Sequence, residues 1–539
     1  MSVSRQEVEN LLFKIFLFFN FYFLIFFCYN KKYSNHQFNI MSKEQNRTIS
    51  SLIEKIKNYD TKADLDMIRL AYDYAEKAHQ GQTRKSGEPY IIHPLATAHI
   101  LADMKTDYIL VIAALLHDVP EDTEKTLEDL EKEFGPEVMN LVKGITKLGK
   151  LKYRGVARYI ENLRKMFVAM AEDVRVMIIK FADRIHNLST LDSLPPQKRY
   201  RIALESLEIY APLADRLGMD EIKSQLEDLS FKYVYPKEYE RISELRQEKL
   251  KGKEKYFKYV IEKTKRELEK TNIHFLFIGG RNKTLYSLYK KMQKKNNDIN
   301  KIYDIVAVRV IVKDLSDCYS TLGIIHNIWR PMKGRIKDYI SQPKPNGYQS
   351  LHTTVFGDAD GQPIEFQIRT EAMHEHAEYG IAAHWHYDEY GSRMPKREVD
   401  WARELADIQK DILNKLSDLE QIKIDFLQTR IFVFTPKGDV IDLPEGSTPV
   451  DFAYSIHTDI GNKCTGVLIN EKMSPLDTSL NNGDVVDIII DKKRKGPNEE
   501  WLEFVKTHSA QIHIRDAMKK NRGKTISKII KSVLSKKED

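Results

Sequence analysis

The sequence predicts a multidomain α+β protein in which an all-helical domain, a mixed α/β domain and a small β-rich domain follow one another. From Ile49 to Tyr235, apolar residues recur every three or four positions, which is the period of an amphipathic helix. Ile302 to Val312 is rich in Val and Ile, and Ile364 to Arg369 alternates strictly between apolar and polar residues, so both are predicted strands. A pattern of short strands and turns begins at Ile431. A chain of 539 residues is long enough for several domains, each with its own core.

The composition is typical of a globular protein and mildly favours anionic partners. Charged residues make up 30% of the chain and hydrophobic residues 42%, and the net charge of +7 suits nucleotides or RNA. The three cysteines, Cys28, Cys318 and Cys464, are far apart, so they indicate neither a disulfide framework nor a thiolate zinc site. We therefore expect a reducing compartment, the cytoplasm.

The first forty residues differ from the rest of the chain. Leu11 to Cys28 consists almost entirely of Phe, Leu, Ile and Tyr, and a polar run then leads to Met41. One interpretation is a start codon assigned too far upstream, with Met41 as the true beginning and residues 1–40 outside the fold. The alternative is a short membrane anchor, since the length of the apolar run is close to that of a span.

The strongest functional signal is an apolar helix that runs directly into ionisable residues. Leu110 to Leu116 is uninterrupted apolar sequence, and His117 and Asp118 follow it at once. Glu121 and Asp122 lie four residues further on, on the same helical faces if the turn continues. Burying these groups is costly unless a cation or a hydrogen-bond network compensates them. A bound metal is one explanation, and a capped helix with a hydrogen-bonded core histidine is the other.

Residues in other predicted helices complete a candidate metal shell. His93 begins one helical segment, and Asp183 lies in another, with Asn187 one turn along on the same face. Two imidazoles and two carboxylates suit Mn²⁺, Fe²⁺ or Zn²⁺, and such an ion supports hydrolytic chemistry. Arg84 and Lys85, just before His93, are placed to hold phosphates, although a solvated basic turn would have the same sequence.

The order of these residues resembles the HD phosphohydrolase superfamily. The segments 84–94 and 181–187 resemble the Rel/SpoT family in particular, whose members make and destroy the alarmone (p)ppGpp. The resemblance implies a Mn²⁺ site of His93, His117, Asp118 and Asp183, proton transfer by Glu121 and Asp122, phosphate contacts from Arg84 and Lys85, and a nucleoside pocket lined by Asn187 and Thr190. This chain keeps the His-Asp pair that some members have lost, so we predict a working hydrolase.

The predicted mixed domain follows a Lys- and Glu-rich stretch, Lys237 to Lys270, which we interpret as one or two solvated connecting helices. Phe275 to Ile278 predicts a short strand, followed by a helix that opens with Arg281, Lys283 and, one turn later, Ser287. Basic side chains at the N-terminus of a helix favour a phosphate site.

Two carboxylates mark the predicted strands of this domain. Asp304 stands at the start of the first strand, where it can bind Mg²⁺, and Glu365 shares a face of the second with Gln367 and Arg369. The pair predicts a transferase that binds a metal–triphosphate complex, and a half-solvated sheet is the alternative. Asp304 and Arg309 are an odd number of residues apart, so a bulge or a later strand start is needed to bring them to one face.

The loop between these strands favours nucleotide binding. Residues 333–340 and 343–354 combine cations for a triphosphate, a glycine turn, and Tyr348 for stacking on a purine. This loop closely resembles the (p)ppGpp synthetase domain, in the basic version of residues 335–338 that is typical of bifunctional members. The resemblance implies guanine stacking on Tyr348, Mg²⁺ at Asp304, metal binding or deprotonation of the ribose 3′-hydroxyl by Glu365, adenine between Arg281 and Arg309, and nucleotide contacts from Lys283, Ser287, Arg335, Lys337, Lys344, Asn346, Gln349, His352 and Gln367.

The last patterned region resembles a TGS domain, a small β-grasp module. Residues 431–448 and 482–488 carry this resemblance. In ribosome-associated members the module touches the end of a deacylated tRNA, and His457 is the matching candidate; an inert scaffold is the alternative. Residues 492–539 predict a helical, Lys-rich tail. Since longer members of the family continue into further regulatory modules, the resemblance implies either a natural short form or a truncated reading frame.

The resemblance implies an enzyme that is both a GTP pyrophosphokinase and a guanosine-3′,5′-bis(diphosphate) 3′-diphosphatase, with ATP, GDP or GTP, and (p)ppGpp as substrates. The alternatives are a hydrolase whose synthetase half only senses nucleotides, and a ribosome- or tRNA-binding protein with vestigial sites. We expect no membrane contact. The predicted domains are a hydrophobic or disordered extension (1–40), a helical HD domain (49–236), a helical connector (237–272), a nucleotidyltransferase-like synthetase domain (273–390), a helical linker (391–428), a β-grasp TGS domain (429–491) and a basic tail (492–539).

Overall fold

The computed structural model describes most of the chain from residue 47 to residue 519. The described residues are 47–149, 166, 169, 172–251, 254–271, 273–302, 305–344, 346–358, 363–380, 382, 430–437, 440–481, 483–494, 496–507 and 509–519. The apolar stretch Leu11 to Cys28, the predicted linker 391–428 and the end of the tail lie outside them. Among the described helices, none is both long and apolar enough to cross a membrane.

The N-terminal domain is entirely helical in its described part, as predicted. Its helices are α1 Ile49–Tyr59, α2 Leu65–Ala78, α3 Ile92–Asp103, α4 Tyr108–Leu116, α5 Val119–Asp122, α6 Leu127–Gly149, α7 Arg175–Ser189, α8 Pro196–Glu205, α9 Ala211–Arg216 and α10 Asp220–Val234. A π-helical turn, Ser206–Tyr210, joins α8 to α9. Helix α6 is broken at Gly135, whose φ is +81°, before Pro136.

Helix α4 is the centre of this domain. The Asp107 side chain caps it by accepting a hydrogen bond from the Leu110 N–H at 2.8 Å. All residues from Leu110 to Leu116 are buried, because a helix that is apolar on every side must lie inside the bundle. Its C-terminus therefore delivers His117 to the interior, where that side chain is 1% exposed.

Helices α11 Pro236–Leu250 and α12 Glu254–Lys270 follow, in the region predicted to connect the domains. Phe231 of α10, Ile242 of α11 and Leu288 of the first helix beyond the connector share one apolar cluster. The carboxylate of Asp228 on α10 also accepts hydrogen bonds from the N–H groups of Leu285 and Tyr286. The helical and mixed domains are thus joined by a continuous packed interface.

The mixed domain is a five-stranded sheet in the order β1-β2-β5-β4-β3, in which β2 and β5 are parallel and the other neighbours antiparallel. Its elements are β1 Phe275–Asn282, α13 Leu285–Gln293, β2 Val306–Val312, α14 Leu315–Ile328, β3 Lys337–Asp338, β4 Leu351–Phe356, β5 Pro363–Thr370 and α15 Glu371–Tyr379.

Strand alternation divides the sheet into a core face and a polar face. Val308 and Phe366 share a buried core with Val260 and Leu268 of α12 and with Ile325 of α14. Helix α12 therefore covers one face of the sheet and does not merely connect domains. The odd-numbered residues of β2 and β5 face the other side, which is where the polar side chains are found.

The C-terminal module has the strand-and-helix pattern predicted for it. Its elements are β6 Arg430–Phe434, β7 Val440–Pro444, α16 Pro449–Ile456, α17 Thr458–Lys463, β8 Cys464–Ile469, β9 Lys472–Ser474 and β10 Val486–Ile490. Strands β6 and β7 pair with each other, and β10, β8 and β9 form a second sheet. Trp501 and Ile514 pack on the core of this module, and buried Asp451 accepts hydrogen bonds from the N–H groups of Lys506 and Thr507. The first part of the predicted tail is thus folded onto the module.

Candidate active sites in the helical and mixed domains

Three predicted metal ligands meet in the interior of the helical domain. Ligand atoms of His93, His117 and Asp118 lie within 4.8 Å of one another, and this is the one such His/Cys/Asp/Glu group found among the described residues. His93 Nε2 lies 3.5 Å from Asp118 Oδ2, and His117 Nε2 lies 3.2 Å from Asp118 Oδ1. His93 lies in the first turn of α3, and His117 and Asp118 directly follow the last residue of α4. The start of one helix therefore lies next to the end of the other.

The fourth predicted ligand, Asp183 on α7, lies at the edge of this cluster. Its Oδ1 is 3.2 Å from His93 Nε2, and its Oδ2 is 2.7 Å from the ammonium of Lys180. Burial would raise the pKa of Asp183, but Lys180 and His93 hold it well below its usual value. Asn187 donates a hydrogen bond to the same carboxylate. All four predicted ligands are therefore close together.

The cluster fits a divalent cation. His117 Nδ1 donates to the Ala114 carbonyl at 2.7 Å, so Nε2 carries the lone pair, and it is buried without a hydrogen-bond partner. Burial lowers the pKa of His93; it would raise that of Asp118, but the two histidines lower it. Neutral imidazoles and ionised carboxylates are the protonation states that metal binding requires.

Tyr90 links the cluster to the predicted catalytic acids. Its hydroxyl lies 2.9 Å from Asp118 Oδ2 and 2.7 Å from Asp122 Oδ2. Glu121 is half-buried, and burial raises its pKa although Lys180 opposes the shift. Sequence reasoning missed Tyr90 as a functional residue; the available signal was its position one turn before His93.

A cleft of about 390 Å³ opens beside the cluster. Arg84 crosses it and donates to His186 Nδ1 at 2.9 Å and to Asn187 Oδ1 at 2.8 Å. The lining residues that bear on the predictions are Arg84, Lys85, Lys180, Asp183, Asn187, Thr190 and Lys198. Lys180 and Lys198 were not predicted, and as isolated cations in helices they gave no distinguishing signal.

The polar face of the sheet forms a second cleft of about 130 Å³. It is lined by Ser224, Arg281, Asn282, Lys283, Thr284, Ser287, Ala307, Glu365 and Gln367. Arg281 donates to the side-chain oxygen Oε1 of Gln367 at 3.3 Å, and the side-chain Nε2 of Gln367 donates to Glu365 Oε1 at 3.1 Å. Five predicted residues therefore meet, and Ser224 of α10 joins them from the helical domain.

Arg309 lies on the same face, directly beside Gln367 in the parallel pairing of β2 and β5. Its guanidinium is 3.0 Å from Glu378 Oε1, which is also 2.9 Å from Arg369. Burial and the neighbouring Arg369 lower the pKa of Arg309 to about 9. Glu378 was not predicted, because nothing in the sequence shows that α15 turns back under β2. Asp304 lies outside the described residues, so its spacing from Arg309 stays a prediction.

The predicted guanine platform, Tyr348, is buried at the edge of the sheet. Its hydroxyl lies 2.8 Å from His352 Nε2, and His352 Nδ1 lies 3.6 Å from Glu365 Oε1. The Lys344 ammonium is 4.6 Å from the centre of the Tyr348 ring. A purine can stack on that face of the ring only if Lys344 moves aside.

The remaining predicted loop residues either face solvent or donate to backbone carbonyls. Arg335 and Lys337 are exposed. The Asn346 amide donates to the Asp215 carbonyl of the helical domain, and the Gln349 amide donates to the Ile340 carbonyl. Asn346 thus ties the loop to the neighbouring domain.

In the C-terminal module, His457 is exposed at the N-terminus of α17. Its Nδ1 accepts a hydrogen bond from the Asp459 N–H at 3.1 Å, and the remainder of the ring faces solvent.

The buried His/Asp cluster beside a basic cleft is the arrangement of an HD domain, and in this chain it is joined to a mixed sheet that carries a second basic cleft. Three segments of the chain match known family models. Residues 71–220 match the HD domain, residues 280–392 match the region found in RelA / SpoT proteins, and residues 431–490 match the TGS domain. The chain is 45% identical to the bifunctional (p)ppGpp synthase/hydrolase SpoT of Escherichia coli K12, over 87% of this chain and 67% of that protein. The chain belongs to the RelA/SpoT family, and its HD domain implies a divalent metal.

Other relatives carry names for one activity each. The chain is 45% identical to a GTP pyrophosphokinase of Myxococcus xanthus, over 86% of this chain and 62% of the relative. It is 48% identical to a guanosine-3′,5′-bis(diphosphate) 3′-pyrophosphohydrolase of Aquifex aeolicus, over 84% and 64%. The chain thus spans somewhat less than two thirds of the length of these two relatives.

Two solved structures each match about a third of the chain. A small alarmone synthetase 1 from Bacillus subtilis, bound to its product pppGpp, has a TM-score of 0.23 and 19% identity, covering 32% of this chain and 95% of that one. A metazoan ortholog of SpoT that hydrolyses ppGpp has a TM-score of 0.26 and 29% identity, covering 31% and 94%.

Proposed function

We propose that this chain both makes and destroys (p)ppGpp. It transfers the pyrophosphoryl group of ATP to the 3′-hydroxyl of GDP or GTP, and it hydrolyses (p)ppGpp to GDP or GTP and pyrophosphate. The observation that supports this most directly is that predicted side chains gather in two separate places, around His117 beside one cleft and around Glu365 in the other.

For hydrolysis, His93, His117, Asp118 and Asp183 hold the divalent ion, which we propose is Mn²⁺. When bound, such an ion supplies an acidified water and polarises a phosphoryl oxygen. Arg84 and Lys85 hold the 3′-pyrophosphate, and Asn187 and Thr190 line the nucleoside pocket. Glu121 takes the proton of the attacking water, since burial raises its pKa and makes it a stronger base than an exposed carboxylate. Asp122, which the Tyr90 hydroxyl joins to Asp118, assists this proton transfer.

For synthesis, the polar face of the sheet orients two nucleotides. Arg281 and Arg309 hold the adenine, and Tyr348 stacks on the guanine. The ATP phosphates and the acceptor contact a shared set of side chains: Lys283, Ser287, Arg335, Lys337, Lys344, Asn346, Gln349, His352 and Gln367. The 3′-oxygen bonds to the β-phosphorus of ATP, AMP leaves, and Glu365 accepts the hydroxyl proton. Asp304 and Glu365 are the carboxylates that would hold Mg²⁺. Positioning and cations supply most of the catalysis in such transfers.

The remaining proposals concern location and partners. We propose the domain boundaries given above, a cytoplasmic location, and contact between the TGS domain and a deacylated tRNA on the ribosome through exposed His457. The exposure of the His457 side chain supports that contact.

Separate assays of two variants test the proposal. His117→Ala should abolish release of pyrophosphate from (p)ppGpp while synthesis from ATP and GDP continues. Glu365→Ala should do the reverse. His99→Ala removes another buried histidine of the helical domain that lies outside the metal cluster, and it serves as the matched control for folding. Loss of both activities in either site variant, with the control intact, would contradict two independent sites.

Three observations favour a second candidate, a hydrolase with a nucleotide-sensing synthetase domain. The cleft on the sheet is smaller than the hydrolase cleft, Arg309 is paired with Glu378, and Lys344 covers Tyr348. A chain that binds ATP and GDP but forms no (p)ppGpp under any condition would support this second candidate.

A further inference from the structure

The two ring nitrogens of His93 face different surroundings. Nε2 points into the carboxylate cluster, 3.2 Å from Asp183 and 3.5 Å from Asp118. Nδ1 lies on the opposite side of the ring, 2.8 Å from Nδ1 of His186. His186 is only 3% exposed, and it takes part in neither of the proposed reactions.

The protonation of this pair follows from the role of His93. If Nε2 of His93 presents its lone pair to a metal, Nδ1 must carry the proton, because a neutral imidazole has one of each. Nδ1 of His93 therefore donates, and Nδ1 of His186 accepts. A metal-bound histidine whose other N–H is donated in this way is held in orientation and becomes a more basic ligand.

The same acceptor is also used by the phosphate-binding loop. Arg84 donates to Nδ1 of His186 at 2.9 Å. An imidazole nitrogen has a single lone pair, so Arg84 and His93 share it. Only one of the two hydrogen bonds can be well directed at a time, and each donor weakens the bond of the other.

We propose that His186 is a positioning residue that couples occupation of the phosphate-binding loop to the strength of the metal ligand His93. Without nucleotide, Arg84 rests on His186 and Asn187 and competes for the lone pair. When a pyrophosphate group draws Arg84 away, His186 accepts from His93 alone, and His93 binds the metal more tightly. This inference rests on the proposed hydrolase function and adds a regulatory contact to it.

The first test is Mn²⁺ binding by the full chain without nucleotide, followed by calorimetry or by the EPR signal of free Mn²⁺. The same titration of His117→Ala is subtracted, so that only the hydrolase site is counted. His186→Ala should weaken binding about 10- to 100-fold, the usual loss when the hydrogen-bond partner of a ligand is removed. His186→Asn, which places a side-chain oxygen near the position of Nδ1, should recover part of that affinity. Equal affinity of wild type and His186→Ala overturns the proposal, as does a His186→Asn variant that recovers nothing.

The second test asks whether Arg84 affects Mn²⁺ affinity by sharing the His186 lone pair or only by its positive charge. Arg84→Ala should bind Mn²⁺ several-fold more tightly than wild type, because His93 no longer competes for its acceptor. Lys85→Ala is the matched control, since it removes the same charge from the same loop without a contact to His186. If the two variants bind Mn²⁺ equally, the lone pair is not shared and the proposal is wrong. If the wild-type chain shows no Mn²⁺ binding that depends on His117, the metal centre of the proposed hydrolase fails as well, and the two failures are thus distinguishable.

Discussion

The ammonium of Lys105 lies 2.5 Å from the carboxylate of Glu375, and this ion pair joins the helical domain to the mixed domain. Lys105 is in the turn between α3, which carries His93, and α4, which leads to His117. Glu375 is on α15, one turn before the Glu378 that pairs with Arg309. On the same helix, Tyr379 packs against the helical core. Helix α15 therefore contacts the supports of both sites.

This contact predicts how the two activities influence each other. Running both at once would consume ATP in a futile cycle, so we expect each site to be inhibited when nucleotide fills the other. Lys105→Ala should leave each separate activity nearly unchanged but weaken inhibition of (p)ppGpp hydrolysis by GDP and an ATP analogue. The measurement is the hydrolysis rate with and without these nucleotides. Lys147→Ala, which breaks the surface pair with Glu172, is the control. Unchanged inhibition in Lys105→Ala would exclude a role for the pair, and full simultaneous activity of the wild type would exclude reciprocal inhibition itself.

Glu378 should matter for synthesis and not for hydrolysis. Its carboxylate neutralises Arg309 and Arg369, and removing the partner of a buried charge is strongly destabilising for the local arrangement. We expect Glu378→Gln to raise the KM for ATP by about tenfold or more, with hydrolysis changed little. Steady-state kinetics of synthesis and, separately, of hydrolysis measures this. Glu378→Asp should recover part of the loss, and Glu371→Gln at the start of the same helix should have no effect. A fall in kcat alone would argue against an ATP-positioning role.

A side chain at position 347 should disturb the loop that carries Asn346 and Tyr348. The φ of Gly347 is +78°, and an added Cβ would clash with the imidazole of His376, so either that side chain or the loop must shift. Gly347→Ala should therefore lower the rate of synthesis while hydrolysis persists. Gly334 has a φ of +72° but no atom within 4 Å of such a Cβ. Gly334→Ala should suffer only backbone strain of about 1–2 kcal/mol. Equal synthesis rates in the two variants would show that the clash is relieved without moving the loop.

The helical domain should lose stability in acid through His99. Its Nε2 donates to the Thr48 carbonyl at the start of α1, and burial, with nearby Lys55, lowers its pKa to about 4. The folded pKa is below the usual value of 6.5, so folding favours the neutral ring. This stabilisation is fully present above about pH 6.5 and is lost as the pH falls towards 4, up to roughly 3 kcal/mol.

The check is hydrogen exchange of amides in α1 and α3, measured at pH values between 7.5 and 4.5. Protection should fall more steeply in the wild type than in His99→Gln, which keeps a donor but does not titrate. His457→Gln, at an exposed position, is the control and should follow the wild type. Parallel curves for wild type and His99→Gln would assign the acid sensitivity to other groups.

Much of the architecture was predictable because it depends on local patterns. The period of apolar residues correctly predicted a helical domain, a mixed domain and a small β-rich module. Strict alternation in β5 correctly placed Glu365 and Gln367 on one face. Predicted ligands that are adjacent in the chain, such as His117 and Asp118, could also be found from the sequence, since they directly follow the end of an apolar helix. The motifs were sufficient to identify the family.

Other contacts were decided only by the tertiary structure. His93 meets His186, Arg309 meets Glu378, and Ser224 enters the cleft of the other domain, in each case across a long separation in sequence. Periodicity shows which face of a helix is buried, but not which partner it is buried against. That choice depends on the angles at which helices pack and on the register of the sheet, which are set by the complementarity of whole surfaces. The sequence by itself therefore determined the chemical groups and their local placement, and the packing of the domains determined which of those groups act together.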